Sequence, residues 1–339
     1  MRRAEWRIAT ALKRLVGGIA LAGAWIAPGT AQAQAWSPTK PVEFLVPAGP
    51  GGALDQAARI MKQVFESRQA LGHPFIVTSK PSGVGKLAFN MLMQREGDPH
   101  LLTYTTHGYL SNYLGGSLDV LPHRDLTPLV LLLDESIVAA VRANDERFKT
   151  AQDLVAFLRR KPDGASIAVA ASVGNHIHVG IAKPLKAAGV DVGKLTVVAF
   201  RSSGDSLTAL IGGHVDIVAA TTPNVVALHQ TGKIRLLAVS SAERLGGALA
   251  GVPTWRESGV NAVFHSSLGV LAPKGIARAQ IAFWERAYRD LSESEDWKRQ
   301  IERNQSFPHF LGHDDTLRFY DEETRSMRSL LTDMGLARQ

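Results

Sequence analysis

Short apolar runs alternate with helical patterns through most of this chain, and Gly or Pro stands at many of the joints. That alternation constrains the fold more than any other feature. Residues 42–46, 75–77 and 101–104 read as strands, with helices over 55–70 and 87–94 between them. In the first helix Ala58, Met61, Val64 and Phe65 recur at helical spacing. Further strands are predicted over 129–133, 137–141, 167–170, 195–200, 215–218, 234–239 and 268–273. Helices are predicted over 151–160, where Thr150 is a candidate cap, and over 178–188 and 203–211. The end of the chain, over 277–291, 294–304 and 315–334, reads as charged helices with solvated outer faces. Strand–helix alternation predicts an α/β fold, with parallel sheet and helices on both faces. No repeat or low-complexity tether interrupts the pattern, so two lobes would be joined by strands. The expected division is residues 34–138 plus 265–339 for the first lobe and 139–264 for the second.

Composition sharpens this. There is no Cys, so neither a disulfide nor a thiol supports the fold or its chemistry. Arg2, Arg3, Arg7, Lys13 and Arg14 precede an uncharged apolar run over 15–27, and Ala31-Gln32-Ala33 follows. This is the order of a secretory signal peptide, and the run is shorter than the ~20 residues of a bilayer span. Residues 1–33 are therefore expected to be removed on export by the general secretory route. Without those five basic residues and one acidic residue, the formal charge falls from +7 to +3. A near-balanced chain gives no nucleic-acid footprint. About 300 residues can bury ~75% of the unfolded surface, enough for a large core without disulfides.

The sharpest local feature is the run from Val46 to Asp55, VPAGPGGALD, between a predicted strand and a predicted helix. Its glycines can turn N–H groups toward an anion at the positive end of the helix. They also suit an ordinary strand-to-helix turn, and both readings stand. Asp55 falls in the first helical turn, where a structural role and a ligand contact are both open. Nucleotide motifs fail: 49–54 does not spell G-x-G-x-x-G, and Gly83-Val84-Gly85-Lys86 lacks the Ser/Thr of a P-loop. No cofactor is expected. His176 and His178 flank Ile177 in a predicted loop entering a helix, and no third metal ligand lies nearby. Ser172 has Ala170 where a nucleophile elbow needs Gly. An exported hydrolase using Ser172 and a histidine such as His178 is the alternative to a binding protein.

These residues resemble the Bug/TctC family, the exported solute-binding receptors of tripartite tricarboxylate transporters. The family pattern V-P-x-x-P-G-G-x-x-D-x-x-A-R is met from Val46 to Arg59. Further matches are Lys80 to Gly85, Phe200-Arg201 with Ser203 and Leu207, Leu210 to Val215, Gly232 to Val239, Gly251 to Thr254 and Gly269 to Pro273. The resemblance runs from Pro41 to about Leu336. It implies a two-lobed, type II-like periplasmic binding fold, each lobe a mainly parallel sheet flanked by helices. It further implies a periplasmic, monomeric receptor without catalysis that closes on a small organic acid and docks on membrane subunits of the transporter. A signalling partner would leave the same sequence.

Carried over residue by residue, the first lobe's ligand contacts fall on Ala48, Gly51, Gly52 and Ala53, beside Asp55, and on Thr105, Thr106 and His107. The second lobe's fall on Ser172, Val173, Gly174, Asn175 and His176. Arg201 is expected to help neutralise the acid, and its alternative is a solvent-facing arginine. Three departures bear on the ligand. The loop between Ser172 and His178 is about two residues shorter than usual. Ala220 stands where the family often has an acid, and the usual Tyr-Lys pair is Phe200-Arg201.

Overall fold

A computed structural model describes residues 36–50 and 53–338. The expected leader and the pair Gly51 and Gly52 lie outside the described residues. The chain begins β1 (Val42–Val46), α1 (Ala53–Ser67), β2 (Phe75–Ser79), α2 (Lys86–Met93), β3 (Leu101–Thr106), α3 (His107–Leu114) and α4 (Pro122–Asp125). It continues through β4 (Thr127–Arg142), α5 (Ala151–Arg160), β5 (Ser166–Ala170), α6 (His176–Ala187), β6 (Thr196–Phe200), α7 (Ser203–Ile211), β7 (Ile217–Thr221), α8 (Thr222–Gln230) and β8 (Ile234–Val239). It ends with β9 (His265–Ala272), α9 (Arg278–Ser292), α10 (Glu295–Arg303), β10 (Phe307–Leu311) and α11 (His313–Asp333).

The strands run in the order β2-β1-β3-β9-β4-β7-β5-β6, with β8 and β10 also paired to β4. Pairing is parallel among β2, β1 and β3, and among β7, β5 and β6, as the strand–helix alternation predicts. Every pairing that involves β4 or β9 is antiparallel, so the sheet as a whole is mixed.

The sequence predicts two strands over 129–133 and 137–141, yet the chain runs through both as one 16-residue strand. From Thr127 to Ser136 this strand pairs with β9, and from Ile137 onward with β7 and β8. Asp134, Glu135 and Ser136 interrupt the apolar pattern without interrupting the ladder, where they face Ser267, Ser266 and His265. Their polarity answers to side-chain surroundings, because strand pairing is made by backbone groups that every residue except Pro can supply.

Helices cover the sheet on both faces. In α1, Ala58, Met61, Val64 and Phe65 are all buried, as their spacing predicts. They pack with Phe44, Phe75 and Tyr288 in one core that α9 and α10 complete. A second core gathers β4, β5, β7, α5 and α6 with Tyr320, Met327 and Leu331 of α11. Thr150 caps α5: its Oγ1 accepts the Asp153 N–H at 3.2 Å, and the Asp153 carboxylate accepts the Thr150 N–H at 2.9 Å. Among the described residues no helix is long and apolar enough to cross a membrane.

Gly269 sits where β9 is squeezed between β3 and β4, and a Cβ there would collide with the Val130 carbonyl. Gly269→Ala is expected to destabilise the protein by about 1–3 kcal/mol, read as a lower urea midpoint with an unchanged slope.

Candidate functional site

A cavity of about 330 Å³ opens where the first turns of four helices meet. Leu54 of α1 lines it, as do Thr106, Gly108, Tyr109 and Asn112 of α3 and its cap. Asn175, His176 and Ile177 come from the start of α6, and Thr221 and Asn224 from the start of α8. Glu135 of β4 and Ser266, Ser267 and Leu268 of β9 form the wall between them. Each helix follows a strand, so the positive pole of its dipole lies at the strand end beside the cavity.

The caps differ in what they leave open. Asn175 Oδ1 accepts the N–H groups of Ile177 and His178 at 3.0 and 3.1 Å, and its Nδ2 donates to the Ala170 carbonyl. That cap extends α6 back to His176, which the sequence places in a loop. Thr106 and Thr221 make no side-chain cap bond, so the first N–H groups of α3 and α8 keep their capacity for another acceptor. Pro223 in the first turn of α8 fits that position because its missing N–H would have been unpaired.

Two residues of the cavity lining hold left-handed backbone. Val84 has φ 51° and Ala171 has φ 66°. A β-branched residue in that region is a genuine outlier, and such strain collects at sites that need a fixed loop shape. Ala171 keeps it through its N–H bond to the Phe200 carbonyl at 2.7 Å.

Sequence-expected residues separate by strand alternation and by capping. Thr106 and His176 line the cavity, and so does Asn175. Thr105 points away, its Oγ1 donating to the Tyr320 hydroxyl at 3.3 Å. His107 is fully buried, with Nδ1 accepting the Ser267 N–H at 2.8 Å and Nε2 at 3.1 Å from Glu323. Those partners place the proton on Nε2. Asp55 is buried, with Arg59 Nε at 2.8 Å and Ser79 Oγ at 3.2 Å. Ala48 packs against the α1 core. Gly174 takes φ 86° to turn the loop, and its N–H donates to His178 Nδ1 at 3.0 Å. Ser172 Oγ lies 3.4 Å from Asn112 Oδ1, so its hydroxyl is directed to an amide rather than to a histidine base. Arg201 is not brought to the cavity: its side chain is 95% exposed, and its guanidinium lies 3.8 Å from Asp205. Ala53 stands at the first position of α1.

Several lining residues escaped the sequence reading, among them Gly108, Glu135, Thr221 and Asn224. Thr221-Thr222-Pro223-Asn224 carried a helix-start signal, and Glu135 was a charge inside an apolar run. Gly108 gave none. A Cβ on Gly108 would stand 2.8 Å from His176 Nδ1, so the imidazole of α6 lies directly on the backbone of α3.

The described lining contains no Lys or Arg. Burial pushes His176 down to about 4, so at neutral pH it is an uncharged imidazole. Burial alone pushes Glu135 up to about 7. Positive potential at the cavity therefore comes from helix poles. No group of three or more His, Asp or Glu side chains that could hold a metal occurs among the described residues.

His178 is buried behind this wall, and burial holds it at about 4 against an ordinary 6.5. Between those values the unfolded chain binds the proton and the native one does not, so stability falls as pH drops from 6.5 toward 4. His178→Asn keeps an acceptor for the Gly174 N–H and removes the titration. The slope of unfolding free energy against pH in that window is expected to shrink by up to about 1.4 kcal/mol per pH unit, measured by urea melts at stepped pH.

The model of the tripartite tricarboxylate transporter family receptor matches residues 58–336. The UPF0065 protein in gbd 5'region of Cupriavidus necator is 25% identical over 311 residues, covering 92% of each chain. Among solved structures, R. palustris Rpa4515 with adipate superposes with a TM-score of 0.76 at 22% identity, over 88% of this chain and 99% of that one. MatC from Rhodopseudomonas palustris with bound malate gives 0.69 at 22% identity, over 87% and 99%. The structural likenesses speak for the fold. The family match covers most of the chain and includes the α3, α6 and α8 starts that build the cavity, so this chain belongs to the tripartite tricarboxylate transporter receptor family, Bug/TctC, whose members are solute-binding receptors and not enzymes.

Proposed function

We propose that this protein is an extracytoplasmic receptor that captures a small organic carboxylate in the cavity and presents it to a tripartite tricarboxylate-type transporter. The observation that carries the reading is the meeting of four helix N-termini on one cavity whose described lining holds no Lys or Arg. Each pole acts as roughly half a positive charge, and backbone N–H groups match a carboxylate without side-chain ordering. The ligand-bound relatives agree with this chemistry, one holding adipate and one malate.

In this reading residues 34–138 with 265–339 form one lobe and 139–264 the other, and β4 and β9 are the strands between them. Residues 1–33 direct export to the periplasm and are removed there. The mature monomer then closes on its acid, and the closed surface is what the membrane subunits recognise. The family resemblance assigns further N–H groups for the same anion to Gly51, Gly52 and Ala53.

A thermal-shift screen of small organic acids tests the reading. An acid at 100 times its Kd stabilises the native state by ~2.7 kcal/mol, and a panel without any shift would overturn it. Asn224→Asp gives a sharper test. A carboxylate in the first turn of α8 favours that helix by about 0.3–1 kcal/mol, yet it occupies the field meant for the ligand. Apo stability should hold or rise while affinity for the best acid falls roughly tenfold or more. Equal affinity would remove α8 from the site.

A further inference from the structure

Glu135 is the one acidic side chain in the described lining, and its carboxyl has no hydrogen bond or ion pair among the described residues. Its strand neighbour Asp134 turns to the opposite face, where Ser267 Oγ donates to it and His309 Nδ1 lies 2.8 Å away. Glu135 therefore enters the cavity alone, opposite Ser266 on β9. The titratable groups nearest the cavity do not compensate it. His176 of α6 is neutral, Tyr109 of α3 holds its proton because burial pushes the phenol up, and α8 contributes only Thr221 and Asn224. On β9, His265 is also pushed down by burial.

An uncompensated carboxyl kept partly out of water is an expense that a ligand can remove. Helix poles supply positive potential and Glu135 supplies negative, so the cavity is dipolar. A dicarboxylate would meet one favourable and one unfavourable region. A carboxylate that also carries a protonated nitrogen would meet two favourable ones. We propose that Glu135 is a specificity-determining residue, and that the receptor prefers an acid bearing an ammonium or similar N–H donor over a dicarboxylate of like length. This rests on the reading of the cavity as a carboxylate site.

Two matched series test it by titration calorimetry at pH 8, where Glu135 is ionised. One is adipate, 6-aminohexanoate and hexanoate; the other is succinate, 4-aminobutyrate and butyrate. In at least one series the amino acid is expected to bind at least tenfold more tightly than the dicarboxylate. Glu135→Gln keeps the shape and removes the charge. It should weaken the amino acid about 30-fold or more and leave the monocarboxylate within about threefold. The apo melting temperature should hold or rise, because a lone buried carboxyl has gone, and this shows that the variant folds. A dicarboxylate bound most tightly by the parent, or an amino-acid affinity indifferent to Glu135→Gln, would overturn the inference while leaving the carboxylate site standing. If no acid of either series binds the parent, the reading beneath it fails and this inference fails with it.

Discussion

The strand β4 is the constraint on which the rest depends. Its first part is zipped between β9 and β10 and its second between β7 and β8. Antiparallel pairing on both edges leaves no freedom of register, because a slip of one residue would exchange its two faces. That fixed register decides what Asp134 and Glu135 do. One carboxylate goes to a buried network and is held below its usual range: burial raises it, but His309 and Ser267 outweigh burial. The next carboxylate goes to the cavity and is pushed up. Two adjacent acids acquire opposite properties from the two-residue period of a strand.

In the proposed reading an anion is held without arginine, since the described lining of the cavity contains none. A buried guanidinium must be desolvated and then paired when the site is empty. Helix poles avoid that cost, since their partial charges are fixed by the backbone and need no side-chain ordering. The compensating demand is geometric: several helices must start at one place. Parallel strands followed by helices achieve it at both ends of this sheet, because β3, β5 and β7 each end beside the cavity.

Much of this was legible in the sequence, and the limits are instructive. The alternation of strands and helices, the buried stripe of α1, the Thr150 cap and the family pattern from Val46 to Arg59 are local signals, and the structure reproduces the ones it describes. Facing was not legible. Thr105, Thr106 and His107 looked alike as loop candidates, but of the three Thr106 lines the cavity: Thr105 faces the other side of β3, and His107 opens α3 with Ser267 and Glu323 as its partners. Glu135 read as part of a gap between strands, because an apolar pattern broken by Asp134-Glu135-Ser136 mimics a turn. Arg201 illustrates the reverse: a suitable charge at a suitable strand end, on β6 at the edge of the sheet, that the fold leaves in solvent.

The contacts around the cavity are unequal. Behind the cavity, Ser267 donates its N–H to His107 and its hydroxyl to Asp134, His107 reaches Glu323 on α11, and His309 reaches Asp134. Burial raises Glu323, yet its bond to His107 and the nearby charge of Lys183 hold it below its usual range, so this wall is a connected polar network. Breaking one member leaves another buried and unpaired, which makes such a wall stiff. Across the cavity Ser172 lies 3.4 Å from Asn112 and the His176 ring rests on Gly108 with its buried Nδ1 unbonded, while beneath them Leu110 and Leu114 of α3 share one apolar core with Ile177 and Ile181 of α6. In the proposed reading, an acid bonded to both sides of the cavity adds its own polar interactions to these two contacts.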